Sequence, residues 1–349
     1  MKTEILKIDS INNEIIYKTA GDIIKDGGLV AFPTETVYGL GGDALNAESS
    51  AKIYEAKGRP SDNPLIVHVS DVKSVEKIAE GIDDKAKLLM TKFWPGPLTI
   101  VFRKKEIVPY STTGGLDTVA VRMPDNKCAI EFIKAAGGYI AAPSANKSGR
   151  PSPTKARHVY EDLEGRIDLI IDGGDAGIGV ESTIVDLSED IPTLLRPGYI
   201  SLDMLKDVLG EVKVDPAILG ITSDGIKPKA PGMKYRHYAP KGDMYIVSGN
   251  RADVITEINR LSAFAIKDGK TTGIIATDES AKEYTQGIVR NIGSATDEES
   301  IAHNLYSVLR EFDALDVELI YSEEFNTPTL GMAIMNRLMK AAGQKVLKV

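Results

Sequence analysis

The sequence predicts an α/β fold in which short strands alternate with helices packed on a sheet. Short apolar segments and segments with helical spacing follow one another from the start of the chain, which is typical of α/β proteins. The length of 349 residues, with 42% hydrophobic and 26% charged residues, is enough for a full core and indicates more than one domain. We therefore expect two α/β domains.

Six apolar segments are predicted as strands of the first domain. They are LVAFP (residues 29–33), PLIVHV, PLTIVF, TVAVRMP, YIAAPSAN and DLIIDGG. Between the first two, residues 47–58 have helical spacing and end at Gly58, a residue type favoured just past a helix end. Lys57 and Arg59 are therefore expected where a helix leads into a turn. STIVDL and PTLLRPG predict a closing hairpin, and a short helix follows near residues 202–209.

The composition changes in the middle of the chain. Residues 221–241 contain five Lys or Arg, one Asp, three prolines and two glycines, which is typical of an extended segment. We interpret residues 211–241 as a Pro/Gly-rich basic linker between a domain of residues 1–210 and one of residues 242–349. The segments DMYIVSGN, TGIIAT, DEESIAHNLYSVLREFDALD, VELIYS and MAIMNRLMKAAG predict a smaller Rossmann-like βαβ domain after the linker.

Composition and charge argue against several classes of protein. The single cysteine, Cys128, has no partner for an internal disulfide, and the four histidines show no paired ligand spacing, so a structural zinc site is not expected. A net charge of −8 argues against a broadly basic nucleic-acid-binding surface. The first fourteen residues carry several charges, and no run approaches the ~18 apolar residues of a membrane span. We expect a cytoplasmic protein without a membrane partner.

Phosphate binding, if present, has to depend on side chains. The sequence contains neither G-x-x-x-x-G-K-[ST] nor a dinucleotide fingerprint in its strand-turn-helix context. In KGRPSDNP, two cations, Lys57 and Arg59, precede Asn63 in a turn that Pro60 and Pro64 stiffen, and a preorganised pair of donors suits an anion. The alternative is a solvated helix end, where the helix dipole favours cations.

Other polar residues follow or end predicted strands. Arg122 ends TVAVRMP, and the loop of residues 141–154, rich in Ser, Asn and Pro, follows YIAA. Because open α/β sheets bind ligands at the carboxyl ends of their strands, we expect these positions to form one shared polar site. His68, in LIVHV, is expected to face opposite to its two valine neighbours. A lone strand histidine is more often structural than a ligand.

The motifs together resemble the YrdC-like family. FPTETVYGLG, KGRPSDNPLIVHV, FWPGPLTIVF, VAVRMP, APSANKSGRPSPT, ESTIVDL and LLRPG match its order and spacing over roughly residues 5–209. APGMKYRHYAP and the C-terminal α/β segment are similar to the two-domain threonylcarbamoyl-AMP synthases of that family. The resemblance implies a twisted mixed sheet with helices, plus a smaller C-terminal Rossmann-like domain.

The resemblance also implies a reaction. L-threonine, bicarbonate and ATP would give L-threonylcarbamoyl-AMP and pyrophosphate, with Mg²⁺ accompanying ATP, no fixed protein metal ligands and no organic cofactor. The product would supply a separate tRNA threonylcarbamoyltransferase, so stable tRNA binding by this chain is not required. Either His68 or a water would accept the amine proton.

The resemblance assigns site residues by position. The catalytic set is Lys57, Arg59, Ser144 and Asn146. The L-threonine set is Thr36, His68, Arg122, Ala142 and Ser182. The ATP set is Arg59, Asn63, Thr118, Ser144, Ser152, Arg196 and Tyr235.

Two other functions are alternatives to the synthase reaction. A carbamoyltransferase of the hydrogenase-maturation type carries a related domain, but its paired Cys-x-x-Cys fingers are ruled out by the single cysteine. A non-catalytic double-stranded RNA binder would need a broad basic face, which the net charge of −8 disfavours.

Overall fold

The structure is a computed structural model that describes residues 2–9, 13–219, 229–231, 237–325 and 327–349. Tyr235 and most of residues 220–236 of the predicted linker lie outside the described residues. The chain divides into two compact units. Unit 1 contains the described residues up to 231 except two short segments, residues 149–151 and 178–180, which belong with residues 237–349 in unit 2.

Unit 1 has twelve strands among its described residues. They are β1 (Glu4–Lys7), β2 (Val30–Phe32), β3 (Gly39–Asp43), β4 (Ile66–Val69), β5 (Ala79–Glu80), β6 (Leu98–Lys104), β7 (Thr118–Arg122), β8 (Tyr139–Ala142), β9 (Leu169–Asp172), β10 (Thr183–Asp186), β11 (Thr193–Arg196) and β12 (Lys213–Val214). The helices of this unit are α1 (Asn13–Lys25), α2 (Ala47–Lys57), α3 (Val75–Ile78), α4 (Asp84–Phe93), α5 (Lys127–Ala135), α6 (Ala156–Leu163) and α7 (Leu202–Leu209), with short 3₁₀ helices at Val72–Ser74 and Pro216–Leu219.

The strands of unit 1 form one mixed sheet. Their order is β1-β9-β2-β3-β8-β4-β7-β6-β10-β11-β12, and β5 pairs with β6. In the centre, β4 is parallel to β7 but antiparallel to β8, and β6 is antiparallel to β7 and parallel to β10. The expected mixed sheet with helices is therefore confirmed.

Strand alternation divides the centre of this sheet into two faces. Val67, Val69, Val119 and Val121 point to one face and lie in the main core with residues of α2 and α4. His68 points to the other face, where its ring meets the Phe32 ring edge-on at 5.9 Å. The predicted orientation of His68, opposite to both valines, is confirmed.

Helix α2 begins and ends as its sequence predicts. The Asn46 side chain accepts a hydrogen bond from the backbone N–H of Glu48 and caps the first turn. Gly58 ends the helix with φ of +62°, a left-handed conformation that costs glycine little. This cap directs the chain into the KGRPSDNP turn and fixes the position of Lys57 in the last helical turn.

Unit 2 is an all-parallel sheet with helices, so the predicted smaller α/β domain is confirmed. Its strands run in the order β15-β14-β16-β13-β17, which differs from the 3-2-1-4-5 order of dinucleotide-binding folds. Among the described residues its elements are β13 (Asp243–Ser248), α8 (Arg251–Lys267), β14 (Thr272–Ala276), a 3₁₀ helix (Ala281–Glu283), β15 (Ile288–Asn291), α9 (Glu298–Ala314), β16 (Leu319–Glu323), α10 (Gly331–Ala341) and β17 (Val346–Lys348).

A helix that crosses a bilayer has to be long and apolar. Within the described ranges, no helix combines the length and apolar character needed to cross a bilayer.

Candidate active site

Two of the predicted site residues of unit 1, His68 and Arg122, lie side by side on one face of the sheet. His68 on β4 is paired in register with Arg122 on β7, so both side chains point to the same face. Val121 pairs with Ile100, so Thr99 on β6 is the next residue opposite Arg122. We call the face that carries His68, Arg122 and Thr99 the site face.

The expectation that ligand residues share the carboxyl edge of the sheet is wrong. Arg122 ends β7 and Ser144 follows β8, but β8 is antiparallel to β4 while β7 is parallel to it. The carboxyl ends of β7 and β8 therefore lie at opposite edges of the sheet. In a mixed sheet, side chains of neighbouring strands such as His68 and Arg122 share a face through the two-residue alternation of strands, whichever edge each strand ends at.

Lys57 is buried and bonds to the Ser144–Asn146 loop. Its side chain has 2% relative exposure, and its Nζ donates to the carbonyl oxygens of Ser144, at 2.5 Å, and of Asn146, and to the Asn146 Oδ1 at 3.3 Å. The Ser144 hydroxyl donates to the same Oδ1 at 2.6 Å. Because a solvated ammonium would be exposed, the solvated-helix-end interpretation is wrong for Lys57.

Arg59 and Asn63 lie together in the turn. The half-buried guanidinium of Arg59 donates long hydrogen bonds of 3.3–3.4 Å to the backbone carbonyls of Asn63 and Pro64. The Asn63 side chain is buried, and its Oδ1 accepts no hydrogen bond from any described residue.

Arg122 is held by three neighbours. Its Nη1 donates to the Thr36 hydroxyl at 2.9 Å, its Nε donates to the Gly96 carbonyl at 3.3 Å, and its Nη2 lies 2.7 Å from Glu35 Oε1. The guanidinium is 4% exposed. The structure thus brings Thr36 and Arg122 together, and it adds Glu35, which the sequence did not single out.

His68 is neutral in this environment. Burial, with the nearby positive charge of Arg122, lowers the pKa of His68 from 6.5 to about 3. Its Nδ1 lies 3.1 Å from the Ile66 carbonyl oxygen. A general base works best when its pKa is near the working pH, so a histidine with this pKa is a poor proton acceptor.

Ser182 and Arg196 form a second buried group. Arg196 donates from Nε to the Ser182 carbonyl at 3.0 Å and from Nη2 to the Ser182 hydroxyl at 3.1 Å. That hydroxyl lies 2.8 Å from the Thr99 hydroxyl. Thr99 lies opposite Arg122 in the register of β6 and β7, so this group lies next to Arg122 on the site face.

The described linker residues also contact the site face. Ala230 is fully buried among Ile66, Val101, Ala120, Ile184 and Leu195. The neighbouring Pro231 carbonyl accepts a hydrogen bond of 3.3 Å from Arg196 Nη1, and Lys229 forms ion pairs with Asp186 at 3.2 Å and Glu189 at 2.6 Å. Residues 229–231 are therefore packed into unit 1.

The remaining predicted residues are less closely grouped. Ser152 is fully buried and donates a hydrogen bond of 2.5 Å to Glu181. Ala142 pairs with Ile66 on β4, so it lies on the site face through a backbone position. Thr118 points to the same face but begins β7, about 13 Å along the strand from Arg122.

Sequence reasoning missed Glu35, Thr99 and Glu181. Glu35 and Glu181 lie inside the quoted motifs FPTETVYGLG and ESTIVDL, and each is a carboxylate in an apolar or hydroxyl-rich segment. That contrast was an available signal, because a carboxylate is rarely buried without a cation or a hydrogen-bond donor. Thr99 gave no signal, since its importance depends on which strand lies beside β7.

In the described part of the chain, no group of three or more His, Cys, Asp or Glu side chains could hold a metal ion. Mg²⁺ that accompanies a nucleotide needs few protein ligands, because phosphate oxygens and water complete its shell.

Comparison with known proteins covers the whole chain. The Sua5/YciO/YrdC family model, described as "Telomere recombination", matches residues 22–198. The model "Threonylcarbamoyl-AMP synthase, C-terminal domain" matches residues 200–343. Two curated relatives are named threonylcarbamoyl-AMP synthase: a Pyrococcus abyssi protein is 47% identical, with 99% of this chain and 100% of the relative covered, and a Bacillus subtilis protein is 46% identical, with both chains fully covered.

A solved structure has the same fold over its full length. Pyrococcus abyssi Sua5 complexed with L-threonine matches with a TM-score of 0.93 and 45% identity, and the match covers 100% of both chains.

Proposed function

The chain belongs to the two-domain threonylcarbamoyl-AMP synthases of the Sua5/YciO/YrdC family, which are enzymes of the nucleotidyltransferase kind, and from this premise we propose how its own residues carry out the reaction. L-threonine, bicarbonate and ATP give L-threonylcarbamoyl-AMP, pyrophosphate and water, and the product serves a separate tRNA threonylcarbamoyltransferase in the cytoplasm. Pyrococcus abyssi Sua5, solved with L-threonine, supports threonine as the amino acid.

The observation that carries the proposal is a pair of buried arginines in unit 1: Arg122 lies on the site face beside Thr99 in register, and Arg196 donates to Ser182, whose hydroxyl contacts Thr99. Arg122 suits a carboxylate, because its planar fork can donate two parallel hydrogen bonds. Arg196 suits a phosphate for the same reason. The Thr99–Ser182 contact of 2.8 Å sets their separation. An amino acid on Arg122 and a nucleotide near Arg196 would therefore meet on the site face.

The chemistry needs positioning more than a protein nucleophile. The threonine ammonium first loses a proton, and its nitrogen then forms a bond to the carbon of CO₂, where one C–O π bond breaks, or of bicarbonate, where the C–OH bond breaks. A second proton leaves the nitrogen, either to solvent or with the departing hydroxide as water, which gives the carbamate. A carbamate oxygen then attacks the α-phosphorus of ATP, and the bond to the pyrophosphate oxygen breaks. Arg59 and Arg196 would stabilise the charge that develops on pyrophosphate. Mg²⁺ bound to ATP would supply further charge neutralisation.

The low pKa of His68 supports water as the proton acceptor. With a pKa of about 3, His68 is neutral at pH 7 and offers a hydrogen-bonding nitrogen without a charge. Its edge-on contact with Phe32 and its bond to Ile66 fix the ring on the site face. We assign His68 to threonine binding.

The test is pyrophosphate release measured with all substrates and with each one left out. We expect release only when L-threonine, bicarbonate and ATP are all present, and we expect threonylcarbamoyl-AMP as the nucleotide product. Release without L-threonine would refute the proposed function, since ATP hydrolysis alone needs no amino acid. The mass of the nucleotide product from a single turnover distinguishes AMP from threonylcarbamoyl-AMP.

A further inference from the structure

Glu35 is a buried carboxylate with unused hydrogen-bonding capacity. Its side chain is 13% exposed, and its Oε1 lies 2.7 Å from Arg122 Nη2 in an ion pair. Neither Glu35 oxygen accepts a hydrogen bond from any residue in the described part of the chain. Burial of a charge is costly unless hydrogen bonds compensate it. Arg122 Nη2, at 2.7 Å, satisfies at most part of this capacity, and Oε2 has no donor among the described residues.

The backbone around Glu35 is fixed by its threonine neighbours. The Thr34 hydroxyl accepts hydrogen bonds of 3.2 Å from the backbone N–H groups of Thr36 and Val37, and it donates to the Val37 carbonyl at 2.7 Å. The two threonine hydroxyls also lie 2.9 Å apart. This turn keeps Glu35 beside Arg122, so the incomplete hydrogen bonding is built into the loop.

Arg122 retains donors for a ligand. A guanidinium has five N–H donors, and the hydrogen bonds to Gly96 and Thr36 use Nε and Nη1. Nη2 is ion-paired to Glu35 but makes no hydrogen bond with any described residue. A positive group with free donors and a negative group with free acceptors thus lie side by side on the site face.

We propose that Glu35 and Arg122 form a clamp for the two charged groups of an α-amino acid, in which Glu35 binds the α-ammonium group and Arg122 binds the carboxylate. The assignment rests on the proposed function, because it specifies how L-threonine is recognised. The substrate's ammonium supplies the missing hydrogen bonds to Glu35, and its carboxylate takes the unused donors of Arg122. The clamp selects ligands that carry an amine beside a carboxylate.

The test compares two ligands by isothermal titration calorimetry on the full chain. One is L-threonine, and the other is the 2,3-dihydroxybutanoate of the same configuration, in which a hydroxyl replaces the amino group. The native chain should bind the analogue about 10- to 100-fold more weakly, because a hydrogen bond to a charged group contributes that much. In Glu35→Gln the difference between the two ligands should fall to about threefold or less.

A matched control is available on helix α5. Glu131 forms an exposed ion pair with Lys134 at 2.8 Å, so Glu131→Gln removes the same charge without reaching the site face. Both affinities should stay at the native values in that variant. If Glu35 were only structural, Glu35→Gln would weaken both ligands equally and leave their ratio unchanged, and that result would overturn the clamp.

The outcomes separate the clamp from the proposed function. Equal affinity of the native chain for the two ligands overturns the clamp and leaves the function standing. Failure of the native chain to bind L-threonine overturns both. Equal affinity of the native chain for both ligands would already overturn the clamp, so it stays falsifiable even where Glu35→Gln does not fold.

Discussion

Replacement of Lys57 by methionine should destabilise unit 1 through the loop that the ammonium supports. Met keeps the length and apolar stem of lysine but removes the donors to the Ser144 and Asn146 carbonyls and to the Asn146 amide. The Asn146 Oδ1 keeps the Ser144 hydroxyl as a donor, so two carbonyls lose their partner. Each buried carbonyl that loses its donor costs about 1–3 kcal/mol, and removal of the buried lysine charge recovers part of that cost. The free energy of unfolding should therefore fall by about 2–4 kcal/mol.

The chain contains its own probe for this measurement. Its single tryptophan, Trp94, is buried in unit 1, so the fluorescence of Trp94 during urea denaturation reports the unfolding of that unit. With a urea dependence of about 2–3 kcal/mol per molar, the midpoint of K57M should lie about 1 M below the native one.

Helix α2 also supplies the control. Lys52 is exposed on the same helix and donates one hydrogen bond of 2.7 Å to the Gly27 carbonyl. K52M should change the free energy of unfolding by about 0.5 kcal/mol or less, as is usual for surface substitutions. Equal midpoints for K57M and K52M would refute the reasoning, because they would mean that the buried ammonium does not organise the Ser144–Asn146 loop.

Two further predictions concern Arg59 and His68. R59A should lower kcat for pyrophosphate release about 100-fold, as expected for loss of charge stabilisation. The free energy of unfolding should fall by less than about 1 kcal/mol, because the side chain is half-buried and its hydrogen bonds to the Asn63 and Pro64 carbonyls are long; comparable losses in both would assign Arg59 a structural role. Because the folded pKa of His68, about 3, lies below its unfolded value, stability should fall as pH drops from about 6.5 toward about 3. Between pH 7 and 5.5, the free energy of unfolding from urea titrations should fall by about 1 kcal/mol more for the native chain than for His68→Asn. The same pH dependence of unfolding free energy in both chains would contradict the low pKa of His68.

Local features of the fold were accessible from the sequence because they depend on neighbouring residues. Helix α2 and its Gly58 cap, the hairpin of β10 and β11, and helix α7 lie where the residue patterns place them. Strand alternation correctly oriented His68 away from Val67 and Val69. These features need only backbone propensity and side-chain periodicity.

Features that depend on strand order were not accessible from local pattern. The carboxyl-edge argument assumed parallel neighbours, and the antiparallel pairing of β8 with β4 defeats it. The burial of Lys57 depends on where the Ser144 loop returns, 87 residues later in the chain. The ion pair of Glu35 with Arg122 joins a loop to the end of strand β7 in the same way. Such contacts follow from topology, so the residues alone did not reveal them.

The packing of residues 229–231 decides where the chain can be shortened. A chain that ends at residue 210 would expose the apolar side chains that Ala230 covers and would leave the buried Asp186 carboxylate without Lys229. A chain that ends at residue 231 keeps both contacts. The difference in solubility and folding yield between these two shortened chains therefore measures what residues 211–231 contribute to unit 1, before any substrate is added.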